Sequence, residues 1–354
     1  NQLNKSSKIA YNYLESSASV DSLNTDKRNY FIHTLEAYKT IGNFQFDVEI
    51  GLGKYSSPEY ELPIGEAFIV NLKTKKTAKI PINIQLYRIS PQFVNVTGNF
   101  LNTTVLEVFP NLPGIGSTVR TPYQSPMVGI GFPVNNRQGG SVNAEVTFGK
   151  LKLNGGLGIY AELDTSHAGI AYIHNVNNQT LSRIYLFGRN WGPYNSLNST
   201  YRGIFENAIL TDTNSTGLAN FKKFYNTLEL QAKYNNSLFG KNYYLFSLTR
   251  LNSCQNKVNA LPQIGTQALI SQLSQEIDFS IEIAKKTVFV LSYGIEKIIG
   301  NQQTEPGDAT QPSATNSFFE KLGWDKFYRY TKYRNQKNTL FGYGIDYKIE
   351  DEIK

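Results

Sequence analysis

The feature that most constrains this chain is an alternation of apolar and polar residues along unusually long segments. From Phe44 to Leu52 the even positions are apolar, whereas the odd positions are polar or glycine. Residues 150–163 alternate in the same way. A period of two is typical of a strand with one apolar face. A tilted strand needs about 9 to 11 residues to cross the hydrocarbon region of a bilayer, so these segments are long enough to be membrane strands.

The parity of the apolar positions predicts how neighbouring strands are joined, because a shift of one residue would turn a strand onto the wrong face. The apolar positions are even up to Phe148 and odd from Leu151. A two-residue loop, Gly149-Lys150, places Phe148 opposite Leu151. Glycine at the first loop position suits a type II′ turn.

Two loops of odd length follow from the same argument. Each joins two segments whose apolar positions share a parity, which is even around the first loop and odd around the second. The simplest choices are residues 75–77 and 285–287, and both read Lys-Lys-Thr. Two short matches do not establish a repeat.

Counting all such segments predicts an all-β fold, a closed antiparallel transmembrane β-barrel of about fourteen strands with a range of about 12 to 16. A separate N-terminal segment, residues 1–42, is expected in the periplasm or the lumen, and residues 43–354 are expected to form the barrel. Further strand candidates are residues 91–98, 102–108, 168–174, 180–188, 201–211, 226–235, 242–250 and 338–350.

The predicted connections are very unequal in length. Turns of two or three residues alternate with long stretches at residues 110–141, 189–199 and 301–337. Outer-membrane barrels have short periplasmic turns and longer external loops. If residues 285–287 are periplasmic, the last strand descends and the C-terminus is periplasmic as well.

A soluble β-sandwich also alternates, but its strands are shorter and its outer face carries more charge. Here charged residues are only 18% of the chain, and aromatic residues are 13%. Small and polar residues share one face, as a crowded or hydrated lumen requires. We therefore favour the membrane barrel and keep a soluble all-β surface or binding protein as an alternative.

The C-terminal segment resembles the signal by which insertion machinery recognises outer-membrane barrels. Gly342 and Gly344 are followed by Tyr347 and Ile349 at the spacing of that signal. Residues 122–172 are similar to outer-membrane barrels of Bacteroidota, loosely of the fatty-acid-channel type. The resemblance implies a bacterial outer-membrane location and transport of a solute or lipid.

The sequence contains no motif of an enzyme, a metal site or a nucleic-acid-binding protein. The single cysteine, Cys254, and three separated histidines, His33, His167 and His174, argue against a metal site or a cofactor. The formal charge of +7 is spread over turns and loops. Glu276, Asp278 and Glu282 share a strand face, which we interpret as a polar lumen face because no base or nucleophile accompanies them.

One aromatic and basic segment, residues 318–337, stands apart from the strands. It is interpreted either as an interfacial girdle in contact with membrane lipid or as a surface that docks a partner. The candidate contact residues are Trp324, Phe327, Tyr328, Arg329, Phe318 and Phe319.

Two functions of different classes remain from the sequence. The preferred function is that of a non-enzymatic partner or accessory subunit of an outer-membrane assembly, such as a secretion or barrel-insertion machinery. The alternative is a channel for a solute, a lipid or a fatty acid. We expect membrane lipid and other outer-membrane proteins as partners, and no nucleic acid.

Overall fold

The computed structural model of the chain describes residues 7–19, 27–58, 61–75, 78–93, 127–129, 133–165, 168–176, 200–208, 222–264, 268, 270–300, 330–331 and 336–347. Regular structure in these residues is entirely β. They include no helix that is long and apolar enough to cross a membrane.

The strands alternate with turns along the described parts of the chain. In chain order they are β1 (Ser7–Ser19), β2 (Lys27–Ile41), β3 (Phe44–Ser56), β4 (Gly65–Thr74), β5 (Ile82–Ile89), β6 (Met127–Gly129), β7 (Arg137–Phe148), β8 (Leu151–Glu162), β9 (Ala168–Val176), β10 (Thr200–Ala208), β11 (Phe224–Leu238), β12 (Lys241–Gln255), β13 (Ile270–Ala284), β14 (Thr287–Gly300), β15 (Tyr330–Thr331) and β16 (Gln336–Tyr347).

Twelve strands form one antiparallel sheet in the order β1-β2-β3-β4-β5-β7-β8-β11-β12-β13-β14-β16. The other four form a smaller sheet in the order β15-β9-β10-β6. These four strands lie within three long connections of the large sheet, and β10 lies against β12 and β13. The long connections therefore associate with one another and with the large sheet.

The connections of the large sheet fall alternately at its two ends because neighbouring strands are antiparallel. The short-turn end has the connections 42–43, 75–81, 149–150, 239–240 and 285–286. The long-connection end has the connections 20–26, 57–64, 90–136, 163–223, 256–269 and 301–335. Four of the five short-turn connections have two residues, so the alternation predicted from the sequence is confirmed except at connection 75–81, which is as long as connection 20–26.

The two faces of the large sheet are exposed in the opposite sense to a soluble protein. On the apolar face, Leu52, Leu86 and Leu230 are 50%, 52% and 52% exposed. On the polar face, which carries glycine, tyrosine and charged residues, both Phe246 and Arg137 are fully buried. Apolar side chains thus point outward and polar side chains lie in the interior.

The register is staggered from the first strand to the last. The row of directly paired residues on the apolar face is Ser7, Lys39, Phe46, Leu72, Ile84, Val142, Leu157, Leu228, Leu251, Leu273, Lys297 and Lys337. It starts at the first residue of β1, at the short-turn end. It finishes at the long-connection end of β16, ten residues before Tyr347.

This stagger has the size of a barrel shear. Ten residues at about 3.3 Å each give a rise of about 33 Å, across about 53 Å of sheet at about 4.8 Å per strand. The resulting slope of about 32° is close to the strand tilt of about 35 to 45° in closed barrels. Among the described residues β1 and β16 are the edges of the sheet and are not paired with each other. Closure and the count of about fourteen strands stay predictions.

The predicted Gly149-Lys150 hairpin is confirmed. Phe148 pairs with Leu151, and Gly149 has a φ of +56°, as the first position of such a turn requires.

The other two predicted hairpins have the expected parity but different loops. Leu72 pairs with Ile84 across a connection that spans residues 75–81 rather than 75–77. It is longer because Pro81 has no N–H for the ladder, so β5 begins at Ile82.

The second of these loops has two residues, 285–286, instead of three. Ile281 still pairs with Phe289, because a β-bulge between Glu282 and Ala284 supplies the extra residue.

The N-terminal residues differ from the separate segment that the sequence suggested. The expected boundary at residue 42 falls in the β2-β3 turn, and β1 and β2 belong to the large sheet. Alternation is weaker here because tyrosine occupies both faces, at positions 11 and 13 on one and at positions 30 and 38 on the other, so the strands are less evident in the sequence. The location of residues 1–42 relative to a membrane stays a prediction.

Several predicted strands are located by the structure. Segments 168–174, 201–211, 226–235, 242–250 and 338–350 overlap β9, β10, β11, β12 and β16. Segments 102–108 and 180–188 lie outside the described residues. In segment 91–98 the described residues, 91–93, are not in a strand.

The connection after β5 begins by folding over the polar face of β3 and β4. Ser90 N–H donates to the Glu66 carbonyl at 2.8 Å, and Glu66 N–H donates to Ser90 Oγ at 2.9 Å. The Phe93 ring then covers Gly51, where a Cβ would lie 3.2 Å from it. At Gly65 a Cβ would overlap the backbone of Phe93. Glycine is needed at Gly65 because the backbone of the folded segment occupies the space of a side chain, whereas at Gly51 a side chain would press against the Phe93 ring.

We predict that Gly65→Ala destabilises the protein by about 1 to 3 kcal/mol, because a Cβ would displace the backbone of the segment above it. Gly155→Ala is the matched control, since its Cβ would make only an ordinary contact with Leu230. Urea unfolding of the two variants in detergent micelles measures the difference. Equal unfolding midpoints would contradict the close approach at Gly65.

Candidate functional site

The predicted contact residues Trp324, Phe327, Tyr328, Arg329, Phe318 and Phe319 lie outside the described residues. Of the resemblance to the insertion signal, Gly342, Gly344 and Tyr347 lie on β16, whereas Ile349 is outside the described part. Gly342 and Gly344 are on the polar face and half-buried, and Tyr347 is exposed on the apolar face. Whether these residues serve insertion stays a prediction.

The structure buries a different group of residues on the polar face, six charged side chains that lie on β7, β8, β13 and β14 and just before β11. We call it the buried charge cluster, and its members are Arg137, Glu162, Lys223, Glu276, Asp278 and Glu296. Each is at most 3% exposed. Ions in such positions are costly unless they are paired and hydrogen-bonded.

Glu162 and Lys223 form an ion pair that fastens the two ends of one long connection. Lys223 Nζ is 3.0 Å from Glu162 Oε1, and both side chains are fully buried. Lys223 N–H donates to Glu162 Oε2 at 2.8 Å, and Glu162 N–H donates to the Lys223 carbonyl at 3.0 Å. Charge and backbone hydrogen bonds together hold the start and the end of connection 163–223 side by side.

Arg137 is a second buried cation at the long-connection ends of these strands. It is paired with Glu162 in the β7-β8 register, and its guanidinium lies 4.3 Å from the centre of the Tyr225 ring. A guanidinium over a buried ring makes a cation–π contact, which is strongest where water is excluded. Arg137 therefore links the ends of three strands, β7, β8 and β11.

Two asparagines extend the same junction to the neighbouring connection. Asn136 Nδ2 donates to the Asp164 carbonyl at 2.7 Å, and Asp164 N–H donates to Asn136 Oδ1 at 2.8 Å. Asn135 Nδ2 donates to the Pro91 carbonyl at 3.0 Å. Asn136 has a φ of 59°, a left-handed conformation that asparagine tolerates better than most residues. Connections 90–136 and 163–223 are thus joined at their bases.

The other three acidic members of the cluster, Glu276, Asp278 and Glu296, lie on β13 and β14. Gln272 Nε2 donates to Glu296 Oε1 at 2.6 Å, while Asn252 Nδ2 donates to Gln272 Oε1 at 3.2 Å. Glu276 and Asp278 face the same way, as predicted, and their partners on β12 are Leu248 and Phe246. In the described residues no group of His, Cys, Asp or Glu is arranged to hold a metal ion.

The polar face is more accessible towards the short-turn end. Glu36, Asp47 and Glu49 are only half-buried there. Lys152 pairs with Glu145 at 2.8 Å, and both side chains keep substantial exposure. The polar face is therefore packed at the long-connection end, and on β2, β3 and β8 it is partly open towards the short-turn end.

Sequence reasoning missed Arg137, Glu162 and Lys223. Arg137 and Glu162 occupy polar-face positions at strand ends, so the alternation itself assigns them to the interior. Pairing with Lys223 was beyond the sequence, because some sixty residues of chain separate it from Glu162.

Comparisons with known proteins add little. No protein-family profile matches the sequence, and no curated protein sequence matches it. One similar solved structure is OmpT of Vibrio cholerae, an outer membrane protein in trimer form, with 10% identity and a TM-score of 0.29 over 98% of this chain and 86% of that one. Another is OccK11 (OpdR) of Pseudomonas aeruginosa, with 12% identity and a TM-score of 0.23 over 88% and 69%. Structural similarity at these low TM-scores supports no conclusion about the fold or the function of this chain.

We predict that Lys223→Met destabilises the protein by about 3 to 5 kcal/mol, because it leaves the Glu162 carboxylate buried without its cation. The double variant Glu162→Leu plus Lys223→Met is expected to lose less than the sum of the two single variants. Urea unfolding followed by tryptophan fluorescence measures this coupling.

Lys54→Met is the control for the loss of an ion pair. Lys54 lies 2.7 Å from Glu61 at the exposed surface, where its hydrogen bond lowers the pKa of the Glu61 carboxyl. Solvent screens this pair, so its loss is expected to leave the unfolding midpoint unchanged. Additive single-variant effects at Glu162 and Lys223 would show that the buried pair is not coupled.

Proposed function

We propose that this chain is a bacterial outer-membrane β-barrel that acts as a non-enzymatic partner or accessory subunit of an outer-membrane assembly. The proposal has two parts, the membrane location and the role within the membrane. They are supported by different observations and tested separately.

The membrane location depends on one observation, the exposure of the apolar face. This face continues across all twelve strands of the large sheet, for example through Leu35, Ile50, Leu86 and Tyr343. Soluble monomers rarely expose contiguous apolar patches larger than a few hundred Å². In a bilayer the same face contacts hydrocarbon, and pairing of β1 with β16 would satisfy the last backbone groups. A soluble all-β protein would need another layer to cover this face.

The partner role is supported by the packed interior at the long-connection end. Segment 90–93 folds inward over β3 and β4, and the members of the buried charge cluster on β7, β8, β13 and β14 have almost no access to water. A lumen packed in this way resists free diffusion of solutes. Long connections fastened at their bases suit the display of a docking surface.

A solute or lipid channel is the second candidate. It is favoured by the accessible, charged part of the polar face at the short-turn end, where Glu36, Asp47 and Lys152 are half-buried or exposed. Conductance in a planar bilayer separates this candidate from the partner role.

We predict that the protein is extracted from outer membranes only by detergent, with heat-dependent gel mobility, and that β1 and β16 form its closing seam. Apolar-face positions are odd in both strands, so Tyr11 is expected opposite Tyr343, Ile345 or Tyr347. In a Cys254→Ala background, Tyr11→Cys combined with one cysteine at these three positions should form an intramolecular disulfide. Non-reducing gels report the bond.

Tyr11→Cys combined with Leu230→Cys is the control, since β11 is far from both edges in the sheet order. Recovery of a detergent-free soluble monomer would contradict the membrane location. Absence of a disulfide in all three seam pairs of the membrane-inserted protein would contradict closure between these strands.

For the partner role, we predict that Trp324→Ala plus Arg329→Ala leaves insertion intact and removes a protein that copurifies with the wild type in mild detergent. Aromatic and arginine side chains dominate the energetics of protein interfaces, so a loss of about tenfold or more in copurified partner is expected. The same preparations are tested for conductance.

Tyr343→Ala, which removes an aromatic side chain from the apolar face, is the control for general loss of aromatic surface. If the double variant keeps every partner, the loop residues are only a membrane girdle. Steady conductance by the wild type would favour the channel instead.

A further inference from the structure

The two ends of the large sheet differ in charge as well as in length. The five short-turn connections contain six lysines and no aspartate or glutamate. The long connections carry both signs, including Asp164, Glu305 and Arg329. The short-turn end is therefore uniformly cationic, whereas the long-connection end is mixed: the charged residues of connection 20–26 are all acidic, and connection 256–269 contains Lys257 and no acid.

The apolar face continues to the last residues before these turns. Ile41, Phe44, Phe148, Leu238 and Ile283 are all exposed there, by 47% to 62%. No polar spacer separates them from the turn residues. In a membrane the turns would lie directly at the edge of the hydrocarbon, at the level of the lipid headgroups.

Phe239 occupies a turn position whose left-handed backbone conformation is unfavourable for a phenylalanine. It has a φ of 50°, Gly240 follows with a φ of 72°, and such a turn prefers asparagine and glycine. Its ring is nevertheless 96% exposed. A bulky residue that is both strained and fully exposed points to a role outside the fold, such as contact with a membrane interface.

The exposed turn lysines have no acidic neighbour on the outer surface in the described residues. Lys150 Nζ donates to the neutral Asn236 Oδ1 at 2.6 Å, so its charge stays uncompensated. Glu145, Glu282 and Asp346 are carboxylates of the adjoining strands and lie on the polar face, where Glu145 binds Lys152 and Asn242 donates to Glu282. Ammonium groups in this position are available to phosphate oxygens outside the barrel.

We propose that the short-turn rim, formed by Lys75, Lys79, Lys150, Lys285 and Phe239, binds the headgroups of anionic phospholipids. The lysines donate hydrogen bonds to phosphodiester oxygens, and Phe239 lies among the glycerol and upper acyl groups. This inference rests on the proposed membrane location. Each lysine near an anionic surface strengthens association by about fivefold.

The test compares retention of phosphatidylglycerol and phosphatidylcholine by the folded protein in a neutral detergent, by native mass spectrometry. The wild type is expected to retain about tenfold more phosphatidylglycerol than phosphatidylcholine, or a larger excess. Salt should weaken this preference. Changing Lys75, Lys79, Lys150 and Lys285 together to Gln should abolish it.

The matched control changes four lysines of the long-connection end, Lys54, Lys257, Lys297 and Lys337, to Gln. All four are exposed, so the same total charge is removed from the other end of the barrel. This variant is expected to keep the lipid preference of the wild type. Equal loss in both variants would overturn the site, because it would show a general effect of net charge.

Phe239→Asn separates the interfacial role from a structural one. Asparagine suits the left-handed turn, so heat-dependent gel mobility and the unfolding midpoint should be kept or raised. Retention of phosphatidylglycerol should nevertheless fall. Unchanged retention in both Phe239→Asn and the short-turn lysine variant would overturn the proposal, as would binding of an acidic protein but no lipid by the rim.

If the proposed membrane location is wrong, the experiment gives a different result from the one expected when only the lipid site is wrong. It would appear in the wild type as a soluble protein with no heat-dependent mobility, before any lipid is added. Failure of the lipid site alone would leave that mobility intact and remove only the preference for phosphatidylglycerol.

Discussion

The register of the twelve-stranded sheet is the constraint on which the rest of the structure depends. Each pair of neighbours is antiparallel and in a register that places the apolar face of one strand beside the apolar face of the next. A slip of one residue in any strand would place its charges among exposed leucines and its leucines in the interior. The bulge before residues 285–286 shows how the chain preserves the register where a short turn alone would break it.

Because the apolar face of the sheet is exposed and the polar face is buried, the interior is stabilised by different interactions from those of a soluble protein. A soluble core gains most of its stability from buried apolar area, whereas here the interior holds Arg137, Glu162 and Lys223 without access to water. Such a polar interior is stable only if its groups are paired, and the Glu162–Lys223 pair combines charge with backbone hydrogen bonds. The long connections are held at their bases by the same contacts, so interior packing and loop placement have one physical origin.

The two ends of the sheet have different chemistry because antiparallel strands separate their connections. Short turns bring lysines and Phe239 close to the edge of the apolar face. Long connections bury polar groups and place strands β9 and β10 in a second sheet. The two ends of the sheet therefore present different side chains to their surroundings.

The sequence by itself determined the β class, the faces of most strands and the alternation of short and long connections, because these depend on local periodicity and parity. It also identified the Gly149-Lys150 turn. Only the tertiary structure decided that β1 and β2 belong to the sheet, that Phe93 covers Gly51, and that Lys223 meets Glu162. These contacts join residues far apart in the chain, and their geometry is set by the register of many strands together, which no local pattern contains.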